Sequence, residues 1–195
     1  FGDVYAGYVA KRLGLPVARL VAATNENDIL ARFLASGRYA KGEVVATSSP
    51  SMDIQVASNF ERLLFEMEGQ DGAAVARHMA DFVRVGAFSV AEAHYQAART
   101  LFWGKRVDRN AVAATIREVH AATGELVDPH TAVGIRAGRD RLPDGAPLVT
   151  LATAHPDGVV ALGGPLTLAA LDDMIQRVRP WDGDTPRAFV MNRGQ

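Results

Sequence analysis

Apolar and polar positions along the first seventy residues predict helices and short strands in alternation. Between Val4 and Leu13 apolar residues recur every three or four positions, which predicts a helix of about three turns. The apolar run in "ARLVAATNE" predicts a strand, and "NENDILARFLASG" predicts a second helix capped at Asn27 or Asp28, with Gly37 beyond its end. Because strand, turn and helix alternate, we predict an α/β fold with a mostly parallel sheet and flanking helices.

Two further segments continue this pattern up to residue 71. The segment "EVVATSSPSMDI" predicts a second strand that runs into a Ser/Pro loop. The segment "SNFERLLFEME" predicts a helix that is capped at Ser58 or Asn59. We therefore assign residues 1–71 to one α/β segment.

The rest of the chain divides into three parts by pattern. Residues 72–123 hold three helical patterns with little strand character, which predicts a helical insert. In residues 124–156 the α/β pattern returns: Asp128 and Pro129 predict a helix start, and "PLVTLATAHP" predicts a strand buried on both faces of a parallel sheet. Residues 157–195 have the turn content of a divergent tail, within which "PLTLAALDDMIQRV" still allows an amphipathic helix.

Composition and charge narrow the classes of function. With 195 residues, 48% of them hydrophobic, the chain can bury a core, and its formal charge of -1 gives no global attraction to nucleic acid or to an anionic membrane. The absence of cysteine excludes disulfides, thiolate metal sites and cysteine nucleophiles, and it agrees with a cytoplasmic protein. No apolar run is long enough to span a bilayer. Any anion site must therefore be local.

The first residues, "FGDVYAGYVAKRLGLP", place Gly2 and Asp3 directly before a predicted helix. A helix amino end presents unpaired N–H groups and the positive end of the helix dipole, and a glycine lets a phosphate approach the backbone closely. An ordinary helix cap after a flexible residue explains the same two residues. The residues alone leave both interpretations open.

Six segments of the chain occur in the order and approximate spacing of the threonine synthases, which are fold type II pyridoxal-phosphate lyases: "FGDVYAGYVAKRLGLP", "ATNENDILARFLASGRY", "SPSMDI", "SNFERLLFE", "DPHTAVG" and "LATAHP". The resemblance runs from Phe1 to about Pro156. In that family the first segment begins with the last residues of a Gly-Asn-Phe-Gly-Asp loop, which holds the cofactor phosphate. The resemblance therefore implies that Phe1, Gly2 and Asp3 contact the cofactor. We therefore expect the chain to be the carboxy-terminal part of a longer protein.

The resemblance also implies a reaction and a cofactor. The family converts O-phospho-L-homoserine and water to L-threonine and phosphate with pyridoxal 5'-phosphate, whose ring acts as an electron sink. It implies that Thr153 contacts the pyridine nitrogen of the cofactor. From the residues alone, the strand propensity of threonine is the favoured explanation of this position.

The Schiff-base lysine of that family has no counterpart among the three lysines of the chain. Lys11 falls on the polar side of the first predicted helix, and Lys41 and Lys105 fall beside glycines in predicted turns. We therefore assign no catalytic residue here and expect this chain alone to be inactive.

Three polar residues in the matched segments are candidates for binding the substrate: Asp53, Asn59 and Arg62. A guanidinium beside a polar helix start suits a phosphate or a carboxylate. Helix capping and a surface ion pair explain the same residues without a ligand.

The five histidines predict little chemistry. His130 and His155 invite a general-base role, but a histidine beside a proline at a helix start or strand end is more often a hydrogen-bonded structural residue. The remaining three lack the spacing of metal ligands, so we expect no metal site: His78, His94 and His120.

Two alternatives to a threonine synthase stay open. One is a fold type II lyase that acts on another amino acid, and the other is a non-catalytic remnant or interaction domain. We expect a small-molecule substrate as the partner, without nucleic acid or membrane, and the sequence leaves the oligomeric state open. After Pro156 the chain departs from the family, which usually continues "HPAKF" where this chain reads "HPDGV".

Overall fold

A computed structural model describes residues 1–141 and 147–154 of the chain. Its helices there are α1 (Gly2–Arg12), α2 (Ile29–Ser36), α3 (Glu61–Met67), α4 (Gly72–Val85), α5 (Glu92–Arg99), α6 (Arg109–Thr123) and α7 (Pro129–Arg139). The strands are β1 (Leu20–Thr24), β2 (Arg38–Ala40), β3 (Ala87–Ser89) and β4 (Phe102–Arg106). Within these residues no helix is both long and apolar enough to cross a bilayer.

The chain forms two compact units. The first consists of Phe1–Val45 with Met52–Arg106 and contains α1 to α5 and all four strands. The second contains Ala46–Ser51 and the described residues after Arg106, with helices α6 and α7.

The first unit is built on a parallel pair of strands. Strand β1 pairs with β4 from Leu20 opposite Phe102 to Thr24 opposite Arg106. Strands β2 and β3 form a separate antiparallel pair, in which Tyr39 lies opposite Phe88. The parallel pair with its flanking helices confirms the α/β prediction.

An aromatic cluster fills the core of the first unit. The ring of Phe60 lies 4.6 Å from that of Phe33 and is stacked at 4.8 Å on that of Tyr39, measured between centroids. These three side chains are at most 1% exposed. The Tyr39 hydroxyl accepts a hydrogen bond from the Ala57 N–H at 2.8 Å, so this buried oxygen has a partner. Burial raises the pKa of Tyr39, because it disfavours the charged phenolate.

The helix ends that the sequence predicts from local signals are largely confirmed. Helix α2 has Asp28 at its N-cap position and ends at Gly37, whose φ of 70° is in the left-handed region that glycine favours. The Asp28 carboxylate binds the Arg32 guanidinium at 2.8 Å instead of capping the helix. Asp128 caps α7 as predicted, and Pro129 occupies the first turn.

Several predicted elements are wrong. No strand forms over residues 43–46, and the nearby strand is β2. Helix α3 begins at Glu61, after a 3₁₀ turn over Ser58–Phe60. Residues 72–123 hold the three predicted helices but also the strands β3 and β4, which are too short to show a clear pattern.

The predicted buried strand "PLVTLATAHP" is also wrong where the structure describes it. Residues 147–154 contain no strand, and Val149 is 82% exposed. This segment instead packs on α7 in the second unit, because the glycines of α7 leave room for Leu148 at Gly138 and for Thr150 at Gly134. His155, Pro156 and the tail 157–195 lie outside the described residues.

Helix α2 packs directly on the backbone of β4 at Gly104. A Cβ atom at Gly104 would lie 2.6 Å from the Cα of Ala31 and 3.0 Å from its carbonyl oxygen. Neither backbone atom can move without shifting the helix. The glycine therefore sets the distance between α2 and the parallel pair.

We predict that Gly104→Ala lowers the free energy of unfolding by about 1–3 kcal/mol, because it forces α2 away from β4. Urea denaturation of the purified protein measures the loss. The control is Gly72→Ala, where an added Cβ meets nothing within 4 Å; it should leave stability unchanged or raise it by about 0.5 kcal/mol. Equal effects of the two variants would contradict this account of the packing.

Candidate functional site

The amino end of α1 is the first of two polar sites in the first unit. The helix begins at Gly2, two residues before the predicted start at Val4, with Phe1 at the N-cap position and Asp3 inside the first turn. Phenylalanine has no side-chain acceptor, so no capping bond forms from that position. The N–H groups of the first turn therefore carry the positive end of the helix dipole without a side-chain cap from Phe1.

Two polar side chains of the neighbouring segment lie close to this helix end. A Cβ at Gly2 would be 3.6 Å from the Asn59 amide nitrogen. The guanidinium carbon of Arg62 lies 5.9 Å from the ring centroid of Tyr5, in the second turn of α1. We call Gly2, Asp3, Asn59 and Arg62 the α1 amino-end cluster.

Aromatic packing holds the two halves of this cluster together. In the 3₁₀ turn Ser58–Phe60, the Phe60 ring enters the core while Asn59 stays exposed. The Phe1 ring meets the Phe60 ring edge-on at 5.7 Å. The start of α1 and the residues after the turn are thus fixed to the same buried ring.

Helix α1 is also tied to α3 through a carboxylate. The hydroxyls of Tyr5 and Tyr8 each donate to Glu66 at 3.5 Å, and the Arg12 guanidinium lies 3.7 Å from it. Burial, reinforced by the charge of Glu66, raises the pKa of Tyr5, so its hydroxyl keeps the proton that it donates. These contacts orient α1 relative to Arg62, which lies on α3.

The second site is a hydrogen-bonded network that begins where β1 ends. Asp53 Oδ1 accepts from the side-chain amides of Asn25 at 2.7 Å and Asn27 at 3.0 Å. Asn25 is 1% and Asn27 is 3% exposed. Because ligands of open α/β sheets bind beyond the carboxyl ends of the strands, this network occupies a position typical of a functional site.

The side chain of Asn27 also binds the segment over residues 43–46. Its amide donates to the Val45 carbonyl, and its oxygen accepts from the Val45 N–H, both at 2.8 Å. The side chain thus satisfies the two backbone groups that a neighbouring strand would otherwise pair. This explains why a segment with a strand pattern forms no strand here.

The three predicted substrate residues fall into two places. Asn59 and Arg62 belong to the α1 amino-end cluster, whereas the described bonds of Asp53 join it to Asn25 and Asn27. Asn25 and Asn27 were not among the site residues predicted from the sequence. The signal was an Asn-x-Asn directly after a strand, where buried side-chain amides need partners.

In the second unit, a carboxylate and an imidazole organise the start of α7. Asp128 Oδ1 accepts from the backbone N–H groups of His130 at 2.8 Å and Thr131 at 3.3 Å, and it lies 2.9 Å from His130 Nδ1. Asp128 Oδ2 accepts a short hydrogen bond from the Thr131 hydroxyl. Burial opposes ionisation, but these hydrogen bonds outweigh it and hold the pKa of Asp128 below its usual value. His130 is thus a hydrogen-bonded residue, as the sequence analysis favoured.

Thr153 is exposed and lies in irregular backbone, not at the end of a strand. The expected position of Thr153 in a buried strand is therefore wrong. The structure leaves the cofactor contact of Thr153 as a prediction from the resemblance.

The lysines lie in three different settings. Lys11, on α1, donates to the Val17 carbonyl, and Lys41 is exposed. Lys105 lies in β4 opposite Ala23, so its predicted place in a turn is wrong.

His78 and His94, which are distant from each other in the sequence, meet at one carboxylate. Glu68 Oε1 lies 3.0 Å from His78 Nε2 and 3.4 Å from His94 Nδ1. Within residues 1–141 and 147–154, no group of three or more His, Asp or Glu side chains is placed to hold a metal ion. The contacts of Glu68 with His78 and His94 join α4 and α5 to the end of α3.

Comparison with known proteins places the chain beside one enzyme over its whole length. It is 44% identical to the threonine synthase of Pseudomonas aeruginosa, with 100% of this chain and 44% of that protein aligned. It is 39% identical to the threonine synthase of Corynebacterium glutamicum, across 98% of this chain and 44% of that protein. No family model matches the chain.

Solved structures give the same result. A crystal structure of PLP-bound threonine synthase from Brucella melitensis matches with a TM-score of 0.79 and 45% identity, covering 98% of this chain and 41% of that one. Yeast threonine synthase matches with a TM-score of 0.76 and 32% identity, covering 95% of this chain and 38% of that one. These matches confirm the resemblance to threonine synthases and their fold. The chain spans less than half the length of the relatives it matches.

We predict that Asn27→Ala lowers the free energy of unfolding by about 2–3 kcal/mol, because the Val45 carbonyl and Asp53 each lose a hydrogen-bond donor and the Val45 N–H loses its acceptor. Hydrogen exchange over residues 43–46 should speed up in the same variant. Denaturation and exchange are compared with Asn110→Ala, a substitution at an exposed position of α6. A loss no greater than that of Asn110→Ala would show that the network contributes little.

Proposed function

We propose that the protein to which this chain belongs is a threonine synthase. The premise is that the chain is homologous over its whole length to a segment of threonine synthase. That protein converts O-phospho-L-homoserine and water to L-threonine and phosphate. The observation that carries the proposal is the 44% identity to a threonine synthase along the entire chain. The fold match at a TM-score of 0.79 supports it independently of any single motif.

Pyridoxal 5'-phosphate is the proposed cofactor, and the α1 amino end fits its phosphate. The first-turn N–H groups have no side-chain cap from Phe1, and the absence of a side chain at Gly2 leaves the backbone open beside the Asn59 amide. In this proposal Phe1, Gly2 and Asp3 hold the phosphate through their backbone. When bound, the cofactor ring supplies an electron sink for the reaction.

The proposed partner of the pyridine nitrogen is Thr153. A neutral hydroxyl does not favour a protonated ring nitrogen as a carboxylate would, so the electron sink is milder and suits elimination. The support is the position of this threonine in the matched "LATAHP" segment.

Asn59 and Arg62 are the proposed ligands for an anionic group of the substrate. Both side chains are exposed and lie near the positive end of α1, and a guanidinium can bind two oxygens of a phosphate or carboxylate at once. Asp53 is proposed to act in the substrate site together with Asn25 and Asn27. The hydrogen bonds from their two amides keep its carboxylate in one orientation.

The 195-residue chain alone is proposed to be inactive. Its three lysines are Lys11 on α1, Lys41 after β2 and Lys105 in β4, and none matches the cofactor lysine of the family. Without that covalent attachment the cofactor loses both its anchor and its orientation, which costs many powers of ten in rate. A cytoplasmic location, a small-molecule partner and the lack of nucleic-acid or membrane binding stay predictions.

The alternatives are a fold type II lyase for another amino acid and a non-catalytic remnant. Purified full-length protein should bind pyridoxal phosphate, seen as visible absorbance, and release phosphate from O-phospho-L-homoserine with equimolar threonine. Cofactor binding with turnover of a different amino acid would favour the other lyase. Absence of both cofactor binding and turnover would favour the remnant and overturn the proposal.

We predict that Arg62→Ala in the full-length protein lowers kcat/KM for O-phospho-L-homoserine by about tenfold or more, mainly through KM, because a charge-assisted contact to the substrate is lost. Steady-state phosphate release measures the change. The control is Arg84→Ala, which removes another exposed guanidinium, paired with Asp81, and should leave kcat/KM unchanged. Equal kinetics for the two variants would remove Arg62 from the substrate site.

We predict that Thr153→Val weakens cofactor affinity and slows turnover by about tenfold or more, whereas Thr153→Ser retains much of both, because serine keeps the hydroxyl. Absorbance titration and phosphate release on the full-length protein measure the two effects. If valine proved harmless, or if serine were as damaging as valine, the hydroxyl would have no contact with the cofactor.

A further inference from the structure

His130 contacts a second segment of its unit through the other ring nitrogen. Nε2 lies 3.3 Å from the backbone N–H of Ser51 and accepts its hydrogen bond. Ser51 ends the segment Ala46–Ser51, which belongs to the same compact unit as α7. The imidazole therefore bridges the start of α7 and this segment.

Asp128 determines which ring nitrogen can accept. Hydrogen bonds keep its pKa low, so it is ionised near neutral pH and has no proton to donate. The 2.9 Å contact with Asp128 Oδ1 therefore requires a proton on His130 Nδ1. A neutral imidazole protonated there has an unprotonated Nε2, which is the form that Ser51 needs.

The charged groups whose contacts the structure describes at the bridge are Asp128 and Arg109. Among the described residues, His130 makes its ion pair with Asp128, and the segment Ala46–Ser51 has no charged side chain. Helix α6 contributes Arg109, whose guanidinium donates to the Ala46 carbonyl at 3.4 Å. A proton added to Nε2 would thus keep the pair with Asp128 and lose the bond to Ser51.

We propose that His130 is a pH-sensitive latch that holds the segment Ala46–Ser51 on the start of α7 when the ring is neutral and releases Ser51 when the ring is protonated. Two facing N–H groups cannot form a hydrogen bond, so the added proton turns an attraction into a repulsion. The cap of α7 is retained, because Asp128 binds an imidazolium at least as well as an imidazole. The stabilisation of the segment is therefore present while the ring is neutral and lost when the ring gains a proton, without unfolding of the helix.

Hydrogen exchange on the full-length protein, corrected for the intrinsic pH dependence of exchange, tests the latch. Between about pH 8 and about pH 5, where histidine ordinarily changes charge, protection of the Ser51 amide should fall about two- to tenfold, the loss expected for one hydrogen bond. Protection of the α7 amides should not change. Constant protection of Ser51 across this range would overturn the proposal.

Three variants separate the latch from general effects of pH. His130→Gln removes the titration and should make protection of Ser51 independent of pH, and His130→Phe should leave that amide poorly protected throughout. His120→Gln, on α6, should preserve the wild-type response. If a His130 variant failed to fold, NMR of the wild-type protein would decide, because the Ser51 amide shift should follow the titration of the His130 ring. The latch would be contradicted if the Ser51 amide shift did not follow the His130 ring with pH. It would also be contradicted if protection of Ser51 in His130→Gln changed with pH as in the wild-type protein.

Discussion

The burial of Phe60 is the interaction on which the first unit and its candidate site depend. One ring packs against Phe33 and Tyr39 in the core and against Phe1 at the start of α1. The turn that buries this ring leaves Asn59 exposed and leads directly into the helix that carries Arg62. Hydrophobic burial of an aromatic side chain thus fixes the position of the polar groups on both sides of the α1 amino end.

A second interaction, made by the Asn27 side chain, holds the irregular segment over residues 43–46 in place. Its amide pairs with both backbone groups of Val45 and shares Asp53 with Asn25. A buried amide can take this role only if its donors and acceptor all find partners, because each unsatisfied group is costly. The segment beyond β2 is therefore held by hydrogen bonds to a side chain, whereas a strand would be held by backbone hydrogen bonds to a neighbouring strand.

The features that the sequence predicted are those that depend on local signals. The N-cap position of α2 at Asp28, its C-cap at Gly37 and the cap of α7 at Asp128 each follow from a few neighbouring residues. Strand β4 was missed because its partner β1 lies about eighty residues earlier and its central Gly104 is explained only by contact with α2. The strand expected at 43–46 failed because the competing partner, Asn27, is distant in sequence.

The same division applies to the site. Phe1, Gly2, Asp3 and Thr153 were predicted through a family resemblance, whereas Asn25 and Asn27 became candidates through the hydrogen bonds that the fold creates. Periodicity and spacing report which residues can form a helix end, but they do not report which polar groups are buried together. The structure adds that information for Asn59 and Arg62, which it places beside the amino end of α1.

The central claim is that the amino end of α1 binds the phosphate of pyridoxal phosphate, and a structure of the full-length protein with the cofactor tests it most directly. We expect the phosphate oxygens within about 3.2 Å of the first-turn N–H groups at Gly2 and Asp3, which is hydrogen-bonding distance. A cofactor phosphate held elsewhere, with these N–H groups bound only to water or to protein, would contradict the account.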